Sequence, residues 1–193
     1  MKAIAIEKCR ERLRRGATAI TGMEAADNGR EFAICWESYL VSMKAIGEIL
    51  RTGSRGHRAS EIFLSERWPE VSGDPLLRYL LEARNVEEHG LEPTANFTQS
   101  WLALGGPGES IRLDGTFGPG GTMRVTPLNG STVTITYSPK SAKLLPVEDI
   151  KGQTWTVPTE HLGKPVADPS PVSIARAGLT YFTQLVSDAQ ALA

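Results

Sequence analysis

The stretch REFAICWESYLVSMKAIGEILRT, residues 30–52, carries the clearest structural signal in this sequence. Its large apolar residues recur at alternating spacings of four and three positions. They are Phe32, Trp36, Tyr39, Met43, Ile46 and Leu50. Such spacing aligns side chains along one side of an α-helix, because the helix turns once every 3.6 residues or so. The pattern predicts a helix whose apolar side packs against other helices.

Two further helices are predicted on either side of this segment. Residues 2–25 form the first, and their loose apolar stripe consists of Ile4, Cys9, Leu13 and Ile20. Residues 58–68 form the other, which we expect to end at Trp68-Pro69 because proline has no backbone N–H with which to continue a helix.

The next helix has both a start and a stop signal. Asp74 is a favourable N-cap and Pro75 suits the first helical position. After His89, Gly90 can take the left-handed conformation that ends many helices, and Pro93 follows. Four helices with short connections predict a helical bundle.

The second half of the chain has a different character. Gly, Pro, Thr and Val are frequent from Gly105 to Pro171, and SIRLDG, TMRVTPL, STVTITY and QTWTVP have the β-branched content of strands. Asn129-Gly130 favours a tight hairpin turn. This half therefore predicts a small antiparallel sheet of about three to five strands.

The predicted fold class is α+β. Residues 1–104 form a helical bundle domain, residues 105–170 a small antiparallel β subdomain, and residues 171–193 a C-terminal helix. The apolar face of that last helix, which includes Ile174, Phe182 and Val186, would pack on either the bundle or the sheet.

Composition excludes several classes of protein. The net charge of −1 gives no global basic field for nucleic acid, and no run approaches the roughly 20 apolar residues that span a membrane. Cys9 and Cys35 read as reduced thiols and the N-terminal segment lacks an apolar signal sequence, so we expect a cytoplasmic location. The three histidines lie far apart, and the glycine-rich segment 116–122 lacks the Lys-Ser/Thr of a phosphate loop, so no metal or cofactor is predicted.

The run ARNVEEH at the end of the fourth helix, residues 83–89, combines three polar groups of chemical interest. Asn85 and His89 are four positions apart and share a helix face, as do Arg84 and Glu88. Arg84 and His89 lie about 140° apart around an ideal helix, so they do not stack directly.

These residues allow two interpretations. In the first, Arg84 pairs with Glu88 and His89 adds a favourable cation at the helix C-terminus, so that the set only stabilises the helix end. In the second, His89 exchanges protons, Arg84 binds a phosphate and Asn85 orients the imidazole or holds a ribose hydroxyl. RNA cleavage needs no metal for this, since the RNA 2′-hydroxyl is itself the nucleophile.

This run on a helical bundle resembles the motif of the HEPN superfamily of ribonucleases and toxins. Arg84 matches the arginine, Asn85 the polar position after it, and His89 the histidine after a gap. The resemblance covers roughly residues 1–100 and leaves the strand-rich segment unexplained. It implies metal-independent endoribonuclease activity by 2′-hydroxyl attack, in a cleft that two protomers form together. It further implies a homodimer in a toxin–antitoxin or antiphage system, with RNA as substrate and an antitoxin as a candidate partner.

Two basic segments would contact the RNA backbone. Residues 2–15 hold six basic and two acidic residues, and the loop TGSRGHR at 52–58 is also basic. The predicted RNA-binding residues are Arg10, Arg14, Arg51, Arg55 and Arg58. Both segments would otherwise be ordinary solvated surfaces.

Two alternatives to the nuclease remain open on the sequence. One is a non-catalytic HEPN-like protein of bacterial or phage type, which dimerises through the bundle and binds a partner through the sheet. The other is a bundle that binds a small molecule or nucleotide. Glu37 and His161 are interpreted as surface residues, and no partner for His161 is evident in the sequence.

Overall fold

The computed structural model describes residues 1–90, 92–105, 110–115, 123–128, 133–149 and 151–192. The fold is α+β, with four N-terminal helices, small antiparallel sheets and one C-terminal helix. The helices are α1 (Ala3–Ala25), α2 (Gly29–Ser54), α3 (Arg58–Gly73), α4 (Pro75–His89) and α5 (Pro171–Gln190). None of them, in the described part of the chain, is long and apolar enough to cross a membrane.

The strands of the described residues are short. They are β1 (Ala95–Thr98), β2 (Trp101–Leu104), β3 (Ile111–Gly115), β4 (Met123–Pro127), β5 (Ile135–Ser138), β6 (Ser141–Leu144), β7 (Val147–Glu148), β8 (Thr154–Trp155), β9 (Glu160–His161) and β10 (Lys164–Pro165). They pair as β1 with β6, β2 with β5, β3 with β4, β7 with β8 and β9 with β10.

The prediction of one sheet with three to five strands is therefore wrong for the described residues, which form two-stranded ladders. The physical reason is that the pairs are nested, with the β3–β4 pair lying inside the β2–β5 pair in the sequence. The chain turns back after β3 and again pairs β5 with β2, so each of these strands forms backbone hydrogen bonds with one antiparallel partner. The Asn129-Gly130 turn lies outside the described residues. The strands before and after it, β4 and β5, pair with β3 and β2.

The chain divides into two compact units. One contains Met1–Thr98 together with Ala142–Ala193, and the other contains Gln99–Ser141. This division differs from the predicted domains, because residues 142–170 belong with the helices and the second unit already begins at residue 99. In the second unit, the β3–β4 ladder has Leu113 opposite Val125 on one face, and Asp114 opposite Arg124 on the other.

Helix α2 lies at the centre of the first unit, where it contacts α1, α3, α4, α5 and β1. The predicted apolar stripe is buried throughout. Trp36 donates a hydrogen bond to Thr94 Oγ1 at 2.8 Å, and the Tyr39 hydroxyl donates to the Ala175 carbonyl at 2.8 Å. Helix α5 packs on α1, α2 and α4, which decides between the two positions that the sequence left open for it.

The helix ends confirm one prediction and correct two. Asp74 caps α4 through a hydrogen bond from the Leu77 N–H at 2.9 Å. Helix α3 continues through Pro69 to Gly73, because Val71 in its last turn is fully buried and anchors the extension. Gly90 has φ −91° and ψ 175°, so its backbone is extended rather than left-handed. A glycine is still required, since a Cβ there would lie 2.7 Å from the Val86 carbonyl oxygen.

Gly178 of α5 gives a stability prediction. A Cβ at this position would lie 2.6 Å from both the Tyr39 hydroxyl oxygen and Leu80 Cδ1, and Tyr39 is fixed by its bond to Ala175. We expect Gly178→Ala to lower the free energy of unfolding by about 2 kcal/mol, the cost of forcing a methyl group into a packed interior. Urea denaturation measures the loss.

The matched control is Gly73→Ala at the end of α3, where no atom lies within 4 Å of the added Cβ. That change is expected to be neutral or slightly stabilising, since alanine favours a helix over glycine by up to about 1 kcal/mol. Equal effects of the two substitutions would show that the close packing around Gly178 has no energetic weight.

Candidate functional site

Arg84 lies near the end of α4 with its side chain only 17% exposed. Its guanidinium forms an ion pair with Glu88 Oε2, as helix spacing predicts. Arg84 also lines a small cavity of about 70 Å³, whose other lining residues include Glu37, Glu87 and Glu88. Arg84 therefore lies in acidic surroundings, and Glu37 is a surface residue, as the sequence suggested.

His89 occupies the last turn of α4, and its side chain is 63% exposed. Its Nε2 lies 3.3 Å from Glu88 Oε2, the same oxygen that the Arg84 guanidinium contacts. The 140° separation on an ideal helix is thus bridged, because the long arginine and the imidazole both turn toward Glu88. The structure brings the Arg84 guanidinium and the His89 imidazole together on one carboxylate oxygen.

Asn85 contacts two residues that the sequence did not connect with it. Its Oδ1 accepts a hydrogen bond from Lys44 Nζ at 2.7 Å, and its Nδ2 donates to Glu82 Oε2 at 3.0 Å. No hydrogen bond joins Asn85 to His89 in the described structure. Asn85 therefore links α4 to α2, and the oxygen and the nitrogen of its side-chain amide each have a hydrogen-bond partner.

Glu82 is the centre of a buried polar network. It is 7% exposed and pairs with Arg78 at 2.6 Å, and the Arg78 guanidinium lies over the Trp155 ring at 4.6 Å from the centroid. Burial, followed by the nearby Arg84 guanidinium, lowers the pKa of Lys44 below its usual value. This network lies on the same face of α4 as His89.

Sequence reasoning missed Lys44, Glu82 and Arg78. Arg78 and Glu82 are four positions apart, a local signal from which their ion pair could have been predicted. Lys44 interrupts the apolar side of the α2 segment, but its partner Asn85 is 41 positions away. Nothing in the local pattern could have identified that contact.

The glutamate Glu87 ties the end of α4 to the chain beyond it. Its Oε1 accepts hydrogen bonds from the Thr94 N–H at 3.0 Å and from the Thr94 hydroxyl at 2.5 Å. Thr94 is fully buried and also holds Trp36. The last turn of α4 is thereby anchored to the core of the first unit.

The five predicted RNA-binding arginines all lie on the surface. On α1, Arg10 donates to Gln190 Oε1 at 2.5 Å and Arg14 pairs with Glu11 at 2.7 Å. Arg51 stacks over the Trp68 ring at 4.7 Å and shares a cavity with Arg55.

The basic loop is shorter than predicted, because α2 runs to Ser54 and α3 begins at Arg58. Arg58 is thus the first residue of α3. RNA binding by these arginines stays a prediction.

A second polar cluster lies at the other end of α4. His161 is not an unpartnered surface residue: its Nδ1 lies 2.9 Å from Asp74 Oδ1, and its side chain is 17% exposed. The sequence could not reveal this pair, since its members are 87 positions apart. Among the described residues, no group of three or more His, Cys, Asp or Glu side chains is placed to hold a metal ion.

Comparisons with protein-family models, curated proteins and solved structures give no match to this chain. The geometry of α4 and its surroundings is therefore the basis for a functional proposal.

Proposed function

We propose that this chain is a metal-independent endoribonuclease of HEPN type, which completes its active site as a homodimer. The observation that supports it is the convergence of Arg84 and His89 on Glu88 Oε2. In the unliganded protein this carboxylate oxygen occupies the position that a non-bridging oxygen of the scissile phosphate would take during RNA cleavage. An oxygen contacted by both a guanidinium and an imidazole receives charge stabilisation from one and a proton from the other.

Phosphate can replace Glu88 at low cost. The Glu88 side chain is 44% exposed, so its carboxylate can turn into solvent when a phosphate takes its place at Arg84. A phosphate offers the guanidinium two oxygens in a bidentate arrangement, which is a stronger contact. His89 would then move the proton of the 2′-hydroxyl or of the leaving oxygen, and Arg84 would neutralise the developing charge. Asn85 would hold Lys44 near the site instead of orienting the imidazole.

Exposed aliphatic side chains beside the site support the dimer. Ile34 and Val41 on α2 are 58% and 40% exposed, and they are seven positions apart, two turns along one helix face. Val41 lines the same small cavity as Arg84. A second copy that covers these side chains would place a second Arg84–His89 pair near the first.

The test is cleavage of mixed RNA in the presence of chelator. Arg84→Ala and His89→Ala are each expected to slow cleavage at least about 100-fold, the usual cost of losing a proton-transfer or charge-stabilising group. The control is Arg176→Ala, which removes an arginine of similar kind that pairs with Glu24 on another surface. Intact RNA with the wild-type protein, or equal rates in all variants, would contradict the proposal.

Two further variants separate the parts of the proposal. Glu88→Gln should strengthen RNA binding severalfold, because the competing carboxylate charge is gone. Val41→Glu should shift sedimentation toward the monomer and abolish cleavage together. Mixing Arg84→Ala with His89→Ala protein should restore part of the activity, if each cleft combines side chains from two protomers.

One observation favours a second candidate. Glu37, Glu87 and Glu88 all line the cavity at Arg84, and their negative charge repels a phosphate. The alternative is a non-catalytic HEPN-like protein that dimerises and binds a protein partner. The Gln99–Ser141 unit would supply the partner surface, since Trp101, Ile135 and Tyr137 are 50%, 64% and 65% exposed. Dimerisation with no RNA cleavage in any variant would select this candidate.

A further inference from the structure

The hairpin of β9 and β10 presents two side chains from one face. His161 and Lys164 are directly opposed in the register, so they project to the same side of the ladder. The turn between them consists of Leu162 at φ 49° and Gly163 at φ 73°. Leucine in this left-handed region costs about 1–2 kcal/mol, so other contacts must hold the turn in place.

Asp74 supplies those contacts. Its Oδ2 accepts the Leu162 N–H at 2.6 Å, and its Oδ1 lies 2.9 Å from His161 Nδ1 while also capping α4. Burial opposes the ionisation of Asp74. The hydrogen bonds from Leu162, Leu77 and His161 outweigh burial and lower its pKa, so the carboxylate is charged at neutral pH.

The charged carboxylate fixes the orientation of the imidazole. It accepts a hydrogen bond from His161 Nδ1–H, which leaves Nε2 as the ring nitrogen that Asp74 does not contact. Among the residues that the structure describes, Nε2 has no hydrogen-bond partner, and it is not among the fully buried unpaired atoms. Because Asp74 holds Nδ1, the Nε2 side of the imidazole has a fixed orientation.

In front of His161 lies a cavity of about 620 Å³. Both acidic residues in its lining are already engaged: Glu70 accepts the Tyr181 hydroxyl at 2.8 Å, and Asp188 lies 3.6 Å from Arg67. Lys164 also lines the cavity and has no ion-pair partner in the described part of the chain. The groups left without partners are thus a lysine and the free nitrogen of a histidine.

We propose that this cavity binds a small organic anion, whose acidic group accepts a hydrogen bond from Lys164 Nζ. Binding takes up one proton at His161 Nε2, so that Nε2–H also donates to the acidic group while Nδ1–H donates to Asp74. The apolar body of the ligand would contact Leu162, Ala177 and Leu185, which form the apolar part of the lining. A mostly apolar pocket with a few convergent polar groups is the usual form of a small-molecule site. The site is separate from the Arg84–His89 pair, because the 15 residues of α4 set its two ends about 22 Å apart.

Histidine ring signals in NMR spectra test this site directly. The chain has three histidines, and His161→Gln identifies the His161 signal. The probes are benzoate as the anion and benzamide as the uncharged match. We expect benzoate to shift the His161 signal saturably while His57 and His89 stay unchanged, and we expect benzamide to have no effect.

The exposed Lys164 provides the matched variants. Lys164→Met should weaken anion binding at least about tenfold, whereas Lys164→Arg should keep it within about threefold, since both arginine and lysine carry the charge. Unchanged affinity in Lys164→Met, parallel shifts of all three histidines, or equally tight binding of benzamide would each overturn the proposal. RNA cleavage does not enter these measurements, so they stand apart from the proposed nuclease function.

Discussion

Replacement of Trp36 by alanine is expected to lower the free energy of unfolding by about 4 kcal/mol, in the range for removal of a large buried aromatic side chain. Trp36 is 1% exposed and packs against the Tyr39 ring with centroids 5.9 Å apart. The indole N–H is also the partner of the buried Thr94 hydroxyl. The substitution therefore leaves a cavity and removes a hydrogen bond that helps to position Thr94 against Glu87.

Urea denaturation measures this effect, and Ser38→Ala is the control. Ser38 is exposed on the same helix, so its substitution should change the free energy of unfolding by less than about 0.5 kcal/mol. A loss below about 1 kcal/mol for Trp36→Ala would mean that α2 is not the central element of the fold.

The second large effect is expected at Asp74, where Asp74→Ala should cost about 3 kcal/mol at pH 7. A lost N-cap contributes about 1 kcal/mol, and charged hydrogen bonds contribute about 1.5–3 kcal/mol. The side chain is 4% exposed and is hydrogen-bonded to Leu77, Leu162 and His161 at the same time. Asp168 is a suitable control, because it is an exposed carboxylate that accepts hydrogen bonds from the Ser170 N–H and hydroxyl, and its replacement by alanine should cost about 1 kcal/mol.

The pH dependence of this loss follows from the direction of the pKa shift. The pKa of Asp74 is lower in the folded protein than its ordinary value of about 3.9. Its contribution is therefore complete above that ordinary value, and it declines as pH falls through the folded pKa. The difference between wild type and Asp74→Ala should be constant from pH 7 to pH 5 and shrink below about pH 4. A difference that stays constant down to pH 3 would contradict the role of the charged carboxylate.

Local periodicity predicted most of the helical half. The Phe32–Leu50 stripe, the Asp74 cap and the Arg84–Glu88 pair all depend on contacts within a few residues, which a sequence pattern records. The same periodicity predicted that Arg84 and His89 would not meet, because it describes the angle between Cα positions around the helix. The convergence on Glu88 depends on how far each side chain extends and turns.

The remaining features depend on residues that are distant in the chain. Strand β2 pairs with β5 across the whole β3–β4 hairpin, so residue composition could identify strands but not their partners. Asp74 meets His161 and Lys44 meets Asn85 only after the fold has formed. The position of α5 was likewise undetermined, because its apolar face is compatible with either a helical or a sheet surface.

The two attachments of α4 have a consequence for its internal freedom. Asp74 clamps the first turn to the β9–β10 turn, and Glu87 clamps the last turn to Thr94. Because α4 is fixed at both ends, its first and last turns do not unwind independently. The backbone entropy of Arg84 and Asp74 is therefore lost when the protein folds, before any molecule binds. A molecule that binds at either end meets a preorganised surface, so little further ordering opposes association.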